Sequence, residues 1–115
     1  MKHNMNLNPA PFEMIKSGEK TIELRLYDEK RRLLKVGDEI IFTNNVTSEE
    51  MSVNVTGLHI FNSFDELYCA LPLLKCGYTD KDIESASAAD MESYYTKEEQ
   101  MKYGVVGIEI SRNLK

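Results

Sequence analysis

The sequence is most informative at residues 18–25, Gly-Glu-Lys-Thr-Ile-Glu-Leu-Arg, which predict a helix end followed directly by a β-strand. Side chains two positions apart in a strand point to the same face. The polar side chains Thr21, Glu23 and Arg25 therefore share one face, and the apolar side chains between them share the other. Lys20 stands at the entrance of the strand. This strand combines a hydrophobic face for a core with an unusually charged face.

The charged face has two interpretations. An antiparallel sheet often keeps one face in water, where an exposed pair such as Glu23 and Arg25 contributes little to stability. Alternatively, the row of charges forms a functional site, since such a density of charge is unusual for a strand that also faces a core. The pattern alone leaves both interpretations open.

Three short helices are predicted from their start and stop signals. Pro9 or Pro11 suits the first turn of a helix that ends at Gly18, directly before the charged strand. Capping boxes that begin at Ser63 and at Thr96 predict the other two helices.

Strands are predicted between and after these helices, in an irregular order. Alternating or continuous apolar residues predict strands at residues 5–7, 21–26, 39–42, 51–61 and 105–110. Gly57 marks a bulge or bend in the fourth of them, and residues 79–91 have no clear pattern. Because helices and strands do not alternate regularly, a parallel βαβ architecture is disfavoured. A small curved sheet or partial barrel, with helices on its outside, fits best.

Length and composition predict one globular domain that spans residues 1–115, with 42% hydrophobic and 29% charged residues. No apolar run approaches the ~20 residues that cross a bilayer, so a cytoplasmic location without a membrane partner is expected. Cys69 and Cys76 are expected to be reduced and partly buried. Together with His3 and His59 they form a poor ligand set, so neither a metal nor a cofactor is expected.

Charge is spread unevenly along the chain. The formal net charge of -5 disfavours non-specific attraction to nucleic acid. Residues 1–35, however, carry eight basic and only five acidic side chains, and Lys30, Arg31 and Arg32 form the densest basic run. This run predicts either a local binding patch or a solvated loop.

Three motifs in order resemble the ASCH (activating signal cointegrator homology) domain family of the PUA-like superfamily. They are the helix and charged strand at residues 11–25, the segment Lys-x-Gly-Asp-x-Ile-x-Phe at residues 35–42, and the closing strand at residues 103–109. The resemblance implies an α+β fold, a PUA-like β-barrel of about five or six strands with flanking short helices. It also implies that RNA or a nucleotide-like ligand binds in a cleft of the barrel.

The resemblance places the site on the charged strand. Lys20, Glu23 and Arg25 fall on the family's charged motif, and Thr21 lies beside them. Lys20 and Arg25 suit a phosphate or carbonyl oxygen, and Glu23 either accepts from a base's amino group or only pairs with Arg25. The expected ligand is RNA or a small, modified nucleoside, and the candidate ligand-binding residues are Lys20, Thr21, Glu23, Arg25, Lys30, Arg31 and Arg32. Tyr27, Tyr94, Tyr95 and Tyr103 are further candidates, for stacking on a base.

Two other functions stay open from the sequence, and so does the oligomeric state. The chain resembles the small bacterial N4-acetylcytidine amidohydrolases in size and motif, although their nucleophilic threonine stands where this chain has Glu23. In a metal-independent hydrolase or ribonuclease, Lys20 and Glu23 would be the catalytic residues. A pocket that holds one nucleoside favours such an enzyme, whereas an open basic groove favours RNA binding. The third possibility is a protein-interaction module on the acidic remainder of the chain.

Overall fold

A computed structural model describes residues 1–113 as a five-stranded half-barrel sheet with short helices around it. The strands are β1 (Lys2–Leu7), β2 (Ile22–Leu26), β3 (Glu39–Asn44), β4 (Glu50–Phe61) and β5 (Val105–Arg112). The α-helices are α1 (Pro9–Ser17), α2 (Phe64–Ala70) and α3 (Lys97–Tyr103). Single turns of 3-10 helix lie at Arg31–Leu33, Leu73–Lys75 and Ile83–Ser85, and a longer one lies at Ala88–Ser93. The α+β fold class is confirmed.

The strand order is β1-β3-β4-β5-β2, so the first two strands of the chain lie at the two edges of the sheet. β1 pairs in parallel with β3, and every other neighbouring pair is antiparallel. Side chains from the β2 side reach across to the edge of β1: Arg25 Nη2 donates to the Asn6 carbonyl and Lys30 Nζ to the Asn4 carbonyl, each at 2.8 Å. We call the gap between these two edge strands the seam. These two bonds satisfy carbonyl groups that an edge strand would otherwise leave unpaired.

The core has two parts, one on each face of the sheet. The first part packs α1, through Phe12 and Ile15, against the buried face of β1, β3 and β4. The second packs α2, through Phe64 and Leu67, against the apolar face of β2. β5 contributes buried side chains to both parts, as its continuous apolar run predicts.

Local start and stop signals mostly act as the sequence predicts. α1 has Pro9 in its first turn and ends at Gly18, which adopts the left-handed conformation with φ 88°. The register of β4 shifts at Gly57, and the capping box at Thr96 is complete. The box at Ser63 differs, because the Glu66 carboxylate accepts from the backbone N–H of Asn62 instead of that of Ser63.

The two cysteines differ in solvent exposure. Cys76 is buried, in agreement with the expected partial burial, whereas Cys69 is exposed on the outer side of α2. The prediction for Cys69 is therefore wrong. Its helix turns it away from Phe64 and Leu67, which contact the core.

Candidate functional site

A pocket of about 500 Å³ opens at the seam, and we call it the seam pocket. The end of β1, the first turns of α1 and the start of β2 form one part of its lining. The irregular segment 76–95, Tyr68 of α2 and Asn45 after β3 form the rest. The volume falls within the ~300–1,000 Å³ that is usual for small-molecule sites. The seam pocket is therefore large enough for one compact ligand.

Three charged side chains at the seam pocket form a group that we call the buried triad: Lys20, Glu23 and Arg25. Lys20 Nζ lies 2.7 Å from Glu23 Oε1, and Arg25 Nε lies 2.7 Å from Glu23 Oε2. The side chains are only 10%, 5% and 13% exposed, in that order. The charged face of β2 is thus turned toward the seam, and its interpretation as a solvated face is wrong.

The backbone before β2 explains how Lys20 reaches this position. After α1 ends, the Lys20 N–H donates to the Met14 carbonyl at 3.0 Å, so the chain turns back against the helix. Gly77 lies over the Lys20 side chain, since a β-carbon at Gly77 would stand 3.4 Å from Lys20 Cδ. Lys20 lies outside the regular part of β2, so the alternation of the strand does not restrict where it points.

Glu23 is the negative centre of the buried triad. Burial on its own raises the pKa of a carboxyl group, but Lys20 and Arg25 together outweigh that effect and lower the pKa of Glu23. Glu23 is therefore ionised at neutral pH, and it is a weak base. The two cations and one anion give the buried triad a net charge of +1.

The buried triad keeps hydrogen-bond donors for a ligand. One of the three ammonium protons of Lys20 faces Glu23, and Arg25 uses Nε for Glu23 and Nη2 for the Asn6 carbonyl. The Arg25 Nη1 group donates no hydrogen bond to residues 1–113. This part of the lining thus offers N–H groups to an oxygen atom of a ligand.

Four tyrosines lie in the other part of the lining: Tyr68, Tyr78, Tyr94 and Tyr95. Tyr94 is 65% exposed, and Tyr95 packs on Phe64 with ring centroids 6.2 Å apart. Of the tyrosines that the sequence suggests for stacking, Tyr94 and Tyr95 therefore lie at the seam pocket. Tyr27 and Tyr103 do not line it.

The other predicted site residues lie elsewhere. Thr21 does not line the seam pocket, and its backbone pairs with Lys75 and Ile110. In the basic run, Arg31 pairs with Asp28 at 3.0 Å. The remaining two members also bind their own chain: Lys30 holds the Asn4 carbonyl across the seam, and Arg32 donates to the Tyr103 carbonyl while stacking on Tyr27. The structure does not bring the basic run to the seam pocket, and its contact with RNA stays a prediction.

The sequence does not predict Tyr68, Tyr78 or Asp90 as site residues, and Asp90 lies within residues 79–91, which have no clear pattern. Tyr78 donates a hydrogen bond to Asp90 at 2.6 Å, and Tyr68 contacts the Tyr78 hydroxyl at 2.7 Å. The capping box from Ser87 to Asp90 was the available signal, because it starts the helical turn that carries Asp90. Cys76 also lines the pocket, and burial raises the pKa of its thiol to about 11. Cys76 is therefore a neutral thiol at physiological pH, with little nucleophilic character.

Residues 1–113 contain neither a metal-binding cluster nor a membrane-spanning helix. No cluster of three or more His, Cys, Asp or Glu side chains in this part of the chain is arranged to hold a metal ion. None of its helices has the length and apolar character needed to cross a membrane.

Comparison with known proteins supports the resemblance seen in the motifs. The family model for the ASCH domain matches residues 5–112. The chain belongs to the ASCH domain family. This match includes the whole seam pocket, and no curated protein matches the sequence.

Solved structures of similar chains share the fold. The crystal structure of the hypothetical protein PH0355 is 38% identical, has a TM-score of 0.81, and aligns over 97% of this chain and 99% of that chain. Protein PF0455 from Pyrococcus furiosus, solved by NMR, is 36% identical with a TM-score of 0.75 over the full length of both chains. A mutant ZmASCH protein from Zymomonas mobilis has a TM-score of 0.67 over 94% of this chain and 66% of that chain. Because it is only 12% identical, it shows a common fold and no more.

Proposed function

We propose that this ASCH domain binds a single nucleoside, free or as an unstacked nucleotide of RNA, in the seam pocket. The observation that carries the proposal is the buried triad at a pocket of about 500 Å³. Its free N–H groups suit the ring carbonyl of a base, and the nearby tyrosines suit the face of the base. The family resemblance, which implies RNA or a nucleotide-like ligand, agrees with this chemistry.

Two features favour one nucleoside over a long RNA strand. The pocket is compact, and the basic run that could follow an RNA backbone lies outside its lining. The formal net charge of -5 also opposes a polyanion, whereas a neutral nucleoside avoids that repulsion. We therefore expect nucleoside affinity to change little between 50 and 200 mM salt.

Hydrolysis of an acylated nucleoside is the second candidate, and the size of the pocket favours it. Lys20 Nζ, 2.7 Å from Glu23, is the residue that would contact the reacting group. A nucleophile is harder to assign, because Thr21 does not line the pocket and Cys76 is held as a neutral thiol. Glu23 is a weak base between its two cations, so it is poorly suited to activate water. Binding therefore remains the leading proposal.

The test is calorimetric titration of the protein with cytidine, uridine, N4-acetylcytidine and a single-stranded RNA, at two salt concentrations. Lys20→Met removes the ammonium while keeping a side chain of similar length. We expect nucleoside binding to weaken about 10- to 100-fold, because a hydrogen bond to a charged group is worth ~1.5–3 kcal/mol. Lys97→Met, at an exposed lysine of α3, is the matched control and keeps full affinity.

The same samples distinguish the two candidates. Chromatography of the N4-acetylcytidine mixture shows whether cytidine accumulates. Binding without turnover supports the leading proposal, and turnover that is lost in Lys20→Met supports the hydrolase. Unchanged affinity in Lys20→Met, or binding of RNA alone with a steep salt dependence, would contradict a nucleoside site at the buried triad.

A further inference from the structure

Three side chains in the tyrosine-bearing part of the lining form a hydrogen-bonded chain: Tyr68, Tyr78 and Asp90. The Tyr68 and Tyr78 hydroxyl oxygens are 2.7 Å apart, and the Tyr78 hydroxyl lies 2.6 Å from Asp90 Oδ2. All three residues line the seam pocket. The residue before Tyr78 is Gly77, which lies over the Lys20 side chain. The three hydrogen-bonded side chains therefore adjoin the buried triad.

The Asp90 carboxylate fixes the direction of the hydrogen bonds among Tyr68, Tyr78 and Asp90. The hydrogen bond from Tyr78 lowers the pKa of Asp90, so Asp90 is ionised at neutral pH and only accepts. Burial, together with the bond to Asp90, raises the pKa of Tyr78, and burial raises that of Tyr68, so both hydroxyls keep their proton. Tyr78 must therefore donate to Asp90, and Tyr68 must donate to Tyr78.

What remains for a ligand on this part of the lining is a set of acceptors. The only hydroxyl proton of Tyr68 is donated in the hydrogen bond to Tyr78, so the Tyr68 oxygen can only accept a hydrogen bond from a ligand. Asp90 Oδ1 accepts no hydrogen bond from residues 1–113, since both the Tyr78 hydroxyl and the Ser87 N–H bind Oδ2. The buried triad, by contrast, offers donors. The seam pocket therefore has a donor part and an acceptor part.

We propose that the Tyr68–Tyr78–Asp90 chain makes the seam pocket select bases that carry an amino group together with a ring carbonyl, as cytosine does, over bases with two carbonyls, as uracil does. The inference rests on the proposed function. Cytosine presents its carbonyl oxygen to Lys20 and Arg25 and its 4-amino group to Tyr68. Uracil presents a carbonyl at that same position, where it meets the lone pairs of Tyr68. A polar site rejects a ligand that leaves its groups unpaired.

Cytidine and uridine are a matched ligand pair for the test, since they share the ribose and differ only in the base edge. Calorimetric titration of the unmodified chain is expected to give at least about fivefold tighter binding of cytidine. Tyr78→Phe removes the middle of the hydrogen-bonded chain and frees the Tyr68 hydroxyl to donate to the 4-carbonyl of uridine. The ratio of the two affinities should then fall close to one.

Two further variants keep the test interpretable. Asp90→Asn preserves size and removes the charge that fixes the direction, so it should reduce the cytidine preference even if Tyr78→Phe folds poorly. Tyr103→Phe, a tyrosine outside the pocket, should leave the preference unchanged. Thermal unfolding monitored by circular dichroism shows whether each variant is folded.

The outcomes separate the inference from the proposed function. A cytidine preference that is lost in Tyr78→Phe or Asp90→Asn supports the inference. Equal binding of both nucleosides, or a preference that both variants keep, overturns the inference while nucleoside binding stands. Failure of either nucleoside to bind the unmodified chain overturns both.

Discussion

Two groups of basic side chains in the first 35 residues have opposite surroundings. Lys20 and Arg25 surround the buried carboxylate of Glu23 and line the seam pocket. Lys30 and Arg32 instead donate to backbone carbonyls of their own chain, across the seam and at the end of α3. The comparison teaches that the density of basic residues along a sequence does not locate a binding site. What distinguishes the two groups is their place in the fold, because Lys20 and Arg25 line the seam pocket and Lys30 and Arg32 do not.

The largest expected effect is on stability, at the centre of the buried triad. Glu23→Gln leaves two buried cations without their counter-ion, so we expect unfolding to become easier by ~3–5 kcal/mol. Glu49→Gln is the matched control, because it breaks the exposed pair with Lys16, also 2.7 Å long, and should have a much smaller effect on stability. Urea unfolding at pH 7 measures both. Equal losses in the two variants would mean that the triad behaves like a surface ion pair.

The folding stability of Glu23→Gln should also depend on pH differently from that of the unmodified chain. The folded-state pKa of Glu23 is lowered, so its contribution to stability is complete above the usual glutamate pKa of ~4.3 and is lost as the pH falls below that value. Glu23→Gln should therefore lose less stability between pH 5 and pH 3 than the unmodified chain.

The sequence predicts a structural feature well when the interactions that form it join residues close together in the chain. Helix ends and the alternation of β4 follow from neighbours a few residues apart, so Gly18 and Thr96 act as expected. The burial of Glu23 depends on which strands form the edges of the sheet, and that pairing joins residues far apart in the chain. The pattern of β2 alone therefore could not distinguish a solvated face from a face turned toward the seam.

The other limit of prediction lies in the irregular segment 76–95, at residues 79–91, although Tyr94 and Tyr95 of that segment are predicted as candidates and line the seam pocket. Its turns are held by short hydrogen bonds, such as those of Asp82 with Thr79 and of Asp90 with Ser87, and not by a periodic apolar pattern. Tyr78 and its contact with Asp90 could not be foreseen, because nothing in the local sequence brings the two together. Functional residues on irregular segments are hard to find for this reason.

A smaller loss of stability is expected from a substitution at Gly77, which lies over the Lys20 side chain. Gly77 has φ +112°, so Gly77→Ala should cost ~1–2 kcal/mol of stability and place a methyl group 3.4 Å from Lys20 Cδ. Gly37→Ala is the matched control, since Gly37 has φ +98° with no atom within 4 Å of the new methyl group. Both variants should lose similar stability in urea, but only Gly77→Ala should weaken nucleoside binding. Equal affinities in the two variants would mean that the ligand does not occupy the part of the seam pocket beside Gly77.

The smallest expected effect belongs to the basic run. Lys30→Met and Arg32→Gln each remove a hydrogen bond to a backbone carbonyl, so each should cost ~0.5–1.5 kcal/mol of stability. Neither residue lines the seam pocket, and we expect nucleoside affinity to stay within about twofold of the unmodified chain in calorimetric titration.

RNA titration gives the same variants a second measurement. If the chain binds only an unstacked nucleotide, the logarithm of the RNA binding constant falls with the logarithm of salt concentration by the same slope in Lys30→Met, in Arg32→Gln and in the unmodified chain. If these cations also contact phosphates, each variant reduces that slope by about one unit. A nucleoside affinity that falls as far in Lys30→Met as in Lys20→Met would contradict the comparison, because a cation that does not line the seam pocket would then be part of the site.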